Sequence, residues 1–415
     1  MKKYIFFVVG VMCTLLSHTA YAIDLNKSDA NIIGHVLEKK TGEHLSYMTV
    51  ALKGTTIGTM TDGTGHYFLK NLPEGEFTLS VSAVGYKPQE RKVTLKRGKT
   101  LEENFELEED MVALDGVVVT ANRNETARRL APTLVKVVTP KLFDMTNSHT
   151  LSQGLVFQPG VRVENDCQNC GYSQVRINGM DGKYTQILID SRPIFSALAG
   201  VYGLEQIPAN MIERVEVVRG GGSALFGSSA IAGTVNIITK EPLRNSGSFA
   251  HSISNFDGSG SFDNNTTLNL SLVSSDNKMG AYIYGQNRHR SAWDSNGDGF
   301  SELPKLKNQT VGINAYYRLN PYSKLNLEYH HMEEFRRGGN RFDLPPHIAE
   351  DANLNGSGKP GLVEQIEHSI NTGGLKFSAF SKDQKHSFNA YASAQHIVRD
   401  SHCLLYTSDA ADERS

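Results

Sequence analysis

The sequence predicts a mainly β protein in three successive parts: a small β-sandwich, a mixed α/β globule, and antiparallel strands of a transmembrane β-barrel. Three observations predict it. Short β-branched runs broken by glycine-rich turns recur from Asn31 to Leu107. From Thr126 to Lys240, helix-like and strand-like segments are mixed. Beyond Pro242 apolar and polar residues alternate strictly in segments of about ten, as strands do with one face in lipid and one in a lumen.

Residues 1–22 read as a secretory signal peptide. Lys2 and Lys3 precede the apolar run Tyr4–Leu16, and "AYA" at Ala20–Ala22 is a small-x-small cleavage site. The mature chain is therefore expected outside the cytoplasm. No later apolar run is long enough for a transmembrane helix, which leaves barrel strands open. A net charge of −2 gives no global field for nucleic acid. Cys13 leaves with the leader, and Cys403 lies in a tail of different character, so Cys167 and Cys170 of "CQNC" remain. In an oxidising compartment their default is a disulfide across a tight loop, with free thiols or a metal or redox role as alternatives.

Residues 23–110 hold the sandwich strands "NIIGHVL", "YMTVALKG", "HYFLKNL", "EFTLSVSAVGY", "RKVTLKRG" and "TLEENFEL". The stretch Thr55–Tyr86 within them, "TTIGTMTDGTGHYFLKNLPEGEFTLSVSAVGY", resembles the carboxypeptidase-regulatory, transthyretin-like module. That resemblance implies an accessory domain without catalysis. Residues 111–123 follow as a linker containing "ALDGVVVTANR". Such a β-branched run can lie free and add edge to edge to another protein's sheet, or it can be the first strand of the next domain.

Within residues 124–240, "RGGGSALFGSS" (Arg219–Ser229) comes within one residue of the nucleotide-binding pattern G-x-x-x-x-G-K-[ST]. It lacks the lysine that would reach the phosphates. Only "AIAG" separates it from the strand-like "TVNIITK", too little for the helix such a loop needs. The glycines are better explained as sharp turns and close approaches between short elements. The segments "LSQGLVFQPGVRV", "VRINGMDGKYTQILIDSRPI" and "IPANMIERVEVVRGGGSALFGSSAIAGTVNIITK", with "DGVVVTANR" ahead of them, resemble the plug of TonB-dependent outer-membrane receptors. The resemblance runs in order over about 130 residues. It implies a plug inside a 22-stranded barrel in the cell outer membrane. It makes Val117, Val118, Val119, Thr120 and Ala121 the TonB box, with TonB and its inner-membrane energising complex as partners. External plug loops would touch the ligand through the flat rings of Tyr172, Phe195 and Tyr202 and the guanidinium fork of Arg192.

Residues 241–402 carry the barrel pattern. Leu268, Leu270 and Leu272 alternate with Asn269 and Ser271; Val311, Ile313, Ala315 and Tyr317 alternate with Gly312, Asn314 and Tyr316. Leu325, Leu327 and Tyr329 alternate with Asn326, Glu328 and His330. Short connections "SSDNK", "NPYS" and "SKDQK" suit periplasmic turns, and the long polar stretches 287–308 and 335–365 suit external loops. Seven strands are expected. An open sheet in hydrocarbon leaves edge amides unpaired, so about fifteen further strands are expected to complete the barrel. Residues 403–415, "CLLYTSDAADERS", break the pattern and resemble a translated sequencing adapter.

No catalytic motif appears, so an enzyme is not expected. His330 and His331 are expected at a strand end, as rim residues or as a haem or metal contact. In "DSNGDGFSE", Asp294, Asn296 and Asp298 fall at positions 1, 3 and 5 of a calcium loop, with Glu302 at position 9. Lys305 at position 12 departs from an EF-hand, leaving a structural calcium or a plain acidic turn. The reading is active import of a scarce ligand (an iron chelate, haem or cobalamin), with no cofactor required. Alternatives are a SusC-like glycan importer and a surface adhesin or scaffold. The plug ends in "VEVVRGGGSALFGSS", closer to the chelate importers.

Overall fold

Eight short strands form the first part: β1 (Asn31–Glu38), β2 (Thr49–Leu52), β3 (Gly58–Met60), β4 (His66–Leu69), β5 (Gly75–Ser82), β6 (Gln89–Leu95), β7 (Thr100–Glu102) and β8 (Phe105–Leu107). This is a computed structural model; it describes residues 28–109 except 47 and 84, the pairs 117–118 and 126–127, then 135–167, 172–193, 207–350 except 228, 361–382 and 386–403. One sheet sets β4 on one side of β1, with β7 and β8 on the other; the second runs β3-β2-β5-β6. Alternate residues of each sheet, among them Ile32, Val36, Val50, Leu52, Leu79, Val81 and Phe105, enclose a common core. Two details differ from the sequence pattern. "TLEENFEL" divides into β7 and β8, because Asn104 Oδ1 accepts the His35 backbone N–H at 3.0 Å and replaces a ladder bond. β3 was hidden in turn-like composition, and it pairs with β2 over only three residues.

The second part follows a two-residue ladder of β9 (Val117–Val118) on β10 (Thr126–Ala127). It contains β11 (Val135–Val138), α1 (Pro140–Met145), α2 (Leu151–Leu155), β12 (Val161–Cys167), β13 (Tyr172–Ile177), β14 (Thr185–Ile189), β15 (Arg192–Pro193), β16 (Ile212–Arg219), α3 (Ser223–Phe226) and β17 (Gly233–Thr239). Five of these strands form a sheet in the order β11-β16-β17-β14-β15, and β12 and β13 form a separate hairpin. Pro140 starts α1, where its missing N–H costs nothing. Leu151 and Leu155 lie four apart on α2 and are both fully buried.

The glycine-rich stretch closes a turn rather than a phosphate cradle. α3 is a single turn, and Gly227 takes φ +97°, a backbone state that side chains disfavour. A Cβ on Gly233 would overlap the Val218 carbonyl oxygen and come within 2.8 Å of Ile177 Cδ1. Gly233→Ala is therefore expected to destabilise this part by about 1–3 kcal/mol, measured as the shift of its unfolding transition in detergent.

The third part is a seven-stranded antiparallel sheet in sequence order, not closed on itself: β18 (Ser246–Asn255), β19 (Phe262–Val273), β20 (Met279–Arg290), β21 (Lys305–Asn320), β22 (Ser323–Gly339), β23 (Val363–Phe380) and β24 (Ser387–Cys403). α4 (Pro346–Ala349) lies between β22 and β23. The strands β21 to β24 reach 16 to 18 residues, well beyond the ~9–11 needed to cross a bilayer. They absorb the ends of the expected loops, which contract to 291–304 and 340–362. One face shows Phe249, Leu268, Leu270, Leu272, Val311, Leu319 and Leu327 to the outside. The other buries Gln286, Arg288, Asn308, Thr310, Asn314 and Arg336. Such a polar-in, apolar-out sheet is the inverse of a soluble sandwich and suits lipid outside. At the short-turn end the sandwich touches the sheet: Thr56 N–H donates to Pro321 O at 2.8 Å, and Tyr322 packs against the sandwich core.

Candidate functional site

The second part sits on the polar inner face of the seven-stranded sheet, and hydrogen bonds join the two. Asn210 Nδ2 donates to Asn269 Oδ1 at 2.9 Å and to Gly285 O at 3.2 Å. Tyr282 Oη donates to Asn210 O at 2.9 Å, and Asn314 Nδ2 donates to Thr239 Oγ1 at 3.0 Å. Where the chain passes from β17 toward the wall, Lys324 Nζ meets Glu241 Oε2 at 3.1 Å. That ammonium holds the Glu241 carboxyl below the usual carboxylate range. Tyr282 and Tyr284 of β20 complete the globule's apolar core from the wall side.

A charged contact between the globule and the wall is set by a strained turn. The run "YTQILIDSRPI" reads as one strand; the structure turns back at Asp190 and Ser191, whose φ angles are +45° and +66°. Non-glycine residues rarely hold this state in pairs, and here the neighbours enforce it. Asp190 Oδ1 accepts the Thr239 N–H at 3.1 Å, and its Oδ2 accepts the Thr239 hydroxyl at 2.7 Å. Asn236 Oδ1 accepts the Ser191 N–H at 2.9 Å. Burial pushes the Asp190 carboxyl above its ordinary value, against the pull of the Thr239 hydrogen bonds.

The turn aims Arg192 at Glu328 of β22, where guanidinium and carboxylate form an ion pair with side chains only 16% and 12% exposed. Gly374 pairs opposite Glu328 on β23. A Cβ there would overlap both the Arg192 guanidinium and the Glu328 carboxylate, so the glycine leaves the space the pair occupies. Beside it, the Tyr284 hydroxyl is hydrogen-bonded to His330 Nδ1, and the Tyr284 ring lies against Gly312. A cavity lined by Ile189, Arg192, Glu328, His330, Thr372 and Gln395 opens next to the pair. Chemically this arrangement can fasten the globule to the wall. Gly374→Val is expected to separate Arg192 from Glu328 while leaving both charges in place. Loosening of the globule by limited proteolysis, as in Arg192→Ala, would show it.

Arg192, expected to offer its guanidinium to the ligand, pairs with Glu328 of the wall. His330 and His331 lie in the middle of β22, not at its end; His330 is buried inward, and His331 Nδ1 lies 2.9 Å from Asn371 Oδ1. The alternating pattern gives His330 the inward phase; it lies mid-strand because β22 runs on to Gly339. Val117 and Val118 form β9, whereas Val119, Thr120 and Ala121 lie outside the described residues. Tyr172 opens β13 and Cys167 closes β12; Phe195, Tyr202 and Cys170 lie outside the described residues. In the loop after β20, donor atoms of Asp294, Asp298 and Glu302 lie within 4.8 Å of one another. Asp294 accepts the N–H groups of Gly297 and Gly299, each at 2.7 Å, and Asn296 Oδ1 accepts the Asp298 N–H at 2.9 Å. Glu328, Asp190 and Gly374 were not singled out from the sequence. The available signal was a carboxylate in the inward phase of a wall strand.

A globular plug held on the polar face of a barrel sheet, behind a β-sandwich, defines an outer-membrane plug-and-barrel protein. Residues 127–234 match the TonB-dependent Receptor Plug Domain, and residues 32–119 match the CarboxypepD_reg-like domain. The chain thus carries the plug domain of TonB-dependent receptors with a carboxypeptidase-regulatory-like domain ahead of it, and it spans less than a third of the length of the curated relatives it matches. It is 35% identical over 176 residues to the vitamin B12 transporter BtuB of Vibrio vulnificus (strain YJ016), covering 40% of this chain and 28% of that protein. The siderophore receptor PirA from Acinetobacter baumannii shares the fold at a TM-score of 0.54 and 20% identity, over 65% of this chain and 41% of that one. The ferric citrate transporter FecA in its unliganded form gives a TM-score of 0.52 at 16% identity, over 65% of this chain and 40% of that one.

Proposed function

We propose that this chain imports a scarce chelate too large for diffusion pores, an iron chelate, haem or cobalamin, and that TonB drives its gating. The observation that carries the reading is the plug's polar attachment to the wall. Hydrogen bonds and one enclosed ion pair, each worth about 0.5–3 kcal/mol, hold firmly at rest and yield one by one to a pull. An apolar interface would instead have to expose its whole area to water at once. Val117–Ala121 is the segment proposed to add to TonB as a strand; its described residues Val117 and Val118 already take a strand conformation, paired with Ala127 and Thr126. Tyr172, Phe195 and Tyr202 are proposed to meet the ligand from outside. The kinship to a cobalamin transporter favours cobalamin among the chelates. Uptake of labelled cyanocobalamin and of a ferric siderophore by cells carrying the gene, with and without TonB, tests the proposal. TonB-dependent accumulation of one of them supports it, and accumulation of neither contradicts it.

The same loop that gathers Asp294, Asp298 and Glu302 is proposed to take calcium. Millimolar calcium is expected to protect residues 291–304 from protease, and Asp298→Asn is expected to abolish that protection.

A further inference from the structure

Three histidines from separate places in the sequence meet on the outer face of the sandwich. In the β1–β4 ladder His35 lies directly opposite His66. The turn after β1 folds the chain back so that His44 bridges Leu37, and Leu45 N–H donates to Val36 O at 2.8 Å. Gly65 makes the approach possible, since a Cβ there would come within 2.8 Å of the His44 Cβ. The ring centroids are 5.3 Å apart for His35 and His44, 5.7 Å for His35 and His66, and 4.9 Å for His44 and His66. His35 is half-buried, and His44 and His66 are exposed.

We propose that His35, His44 and His66 form a binding site for a divalent transition ion of the zinc class, held by three imidazoles with a fourth position open. The spacing is the first support. An imidazole nitrogen binds zinc at ~2.0–2.1 Å, which puts ring centroids of a tetrahedral set about 5.2 Å apart. The orientation of His66 is the second, independent support. Its Nδ1 lies 3.0 Å from the Thr64 carbonyl oxygen, which can only accept, so Nδ1 carries the proton and Nε2 keeps its lone pair. The Thr64 hydroxyl, 3.1 Å from the same nitrogen, donates in turn to Asp62 Oδ1 at 2.7 Å. Metal-bound histidines are oriented in this way, by a hydrogen bond on the nitrogen opposite the metal. Among the described residues, the group whose donor atoms already lie within 4.8 Å is the acidic loop, so closing the imidazole set requires ring rotation. The exposure of His44 permits rotation of its ring, while His66 keeps the orientation that Thr64 gives it. Three neutral nitrogen donors favour zinc, nickel or copper over calcium or magnesium, which take oxygen.

Zinc titrated by calorimetry into the chain in detergent micelles, with excess calcium present to occupy oxygen-donor sites, tests the proposal. One zinc ion per chain is expected at pH 7.5. His44→Ala and His66→Ala should each weaken binding at least tenfold; both residues are exposed, so folding is not at stake. Binding should also fall sharply at pH 5.5, where ordinary imidazoles are protonated. Cobalt in place of zinc should give the visible absorption of a four-coordinate site, absent from the triple alanine variant. Zinc binding by that triple variant equal to the unaltered chain, or no binding by the unaltered chain, would overturn the proposal.

Discussion

Import is expected to fall to the level of TonB-less cells when Val118 is replaced by proline. Strand addition relies on main-chain hydrogen bonds, and proline removes the donor and fixes φ near −65°. Val118 lies in the short ladder with Thr126–Ala127, ahead of the plug sheet, so plug packing should be untouched. Ligand binding to whole cells should therefore persist while accumulation stops. Val118→Ile, which keeps the N–H and the branched side chain, should import normally. Full import by the proline variant would remove Val117–Ala121 from the mechanism.

Arg192→Ala is expected to loosen the plug strongly. Removing one partner of a buried pair costs about 3–5 kcal/mol, because the other charge is left without compensation; lumen water reaching Glu328 would lower this to about 2–3 kcal/mol. The double variant Arg192→Ala, Glu328→Gln removes both charges and should recover part of that loss. Entry of a bulky antibiotic normally held out by the outer membrane gives the readout, alongside plug proteolysis. The single variant should leak and the double variant should leak less. Equal leakage from both would mean that the ion pair does not fasten the plug.

Much of the fold was legible because each part has its own periodicity. The strands of the sheet from β18 to β24 could be counted from the two-residue alternation alone, since lipid outside and polar groups inside leave little choice of phase. The turn at Asp190–Ser191 was not legible. "ILIDSRPI" reads as one extended run, and the positive φ angles are held by Thr239 and Asn236, some 45 residues away. Strand ends also escaped prediction, because residues above the bilayer no longer need an apolar face, as at His289 and Arg337. The inward phase of Glu328 was readable, but its partner was not: a long-range ion pair has no local signature. Likewise, His35, His44 and His66 looked scattered until the β1–β4 register brought them together.

The central claim is that one face of this sheet lies in lipid while the other carries the plug. Spin labels placed singly along β21 test it most directly, with the native cysteines replaced and the protein reconstituted in bilayers. At positions 311, 313, 315 and 317 the labels should be accessible to oxygen and shielded from a water-soluble nickel complex. At 310, 312, 314 and 316 both relaxing agents should be largely excluded by the plug. A period of two along the strand is the predicted result; equal access of the nickel complex to both sets would contradict the account.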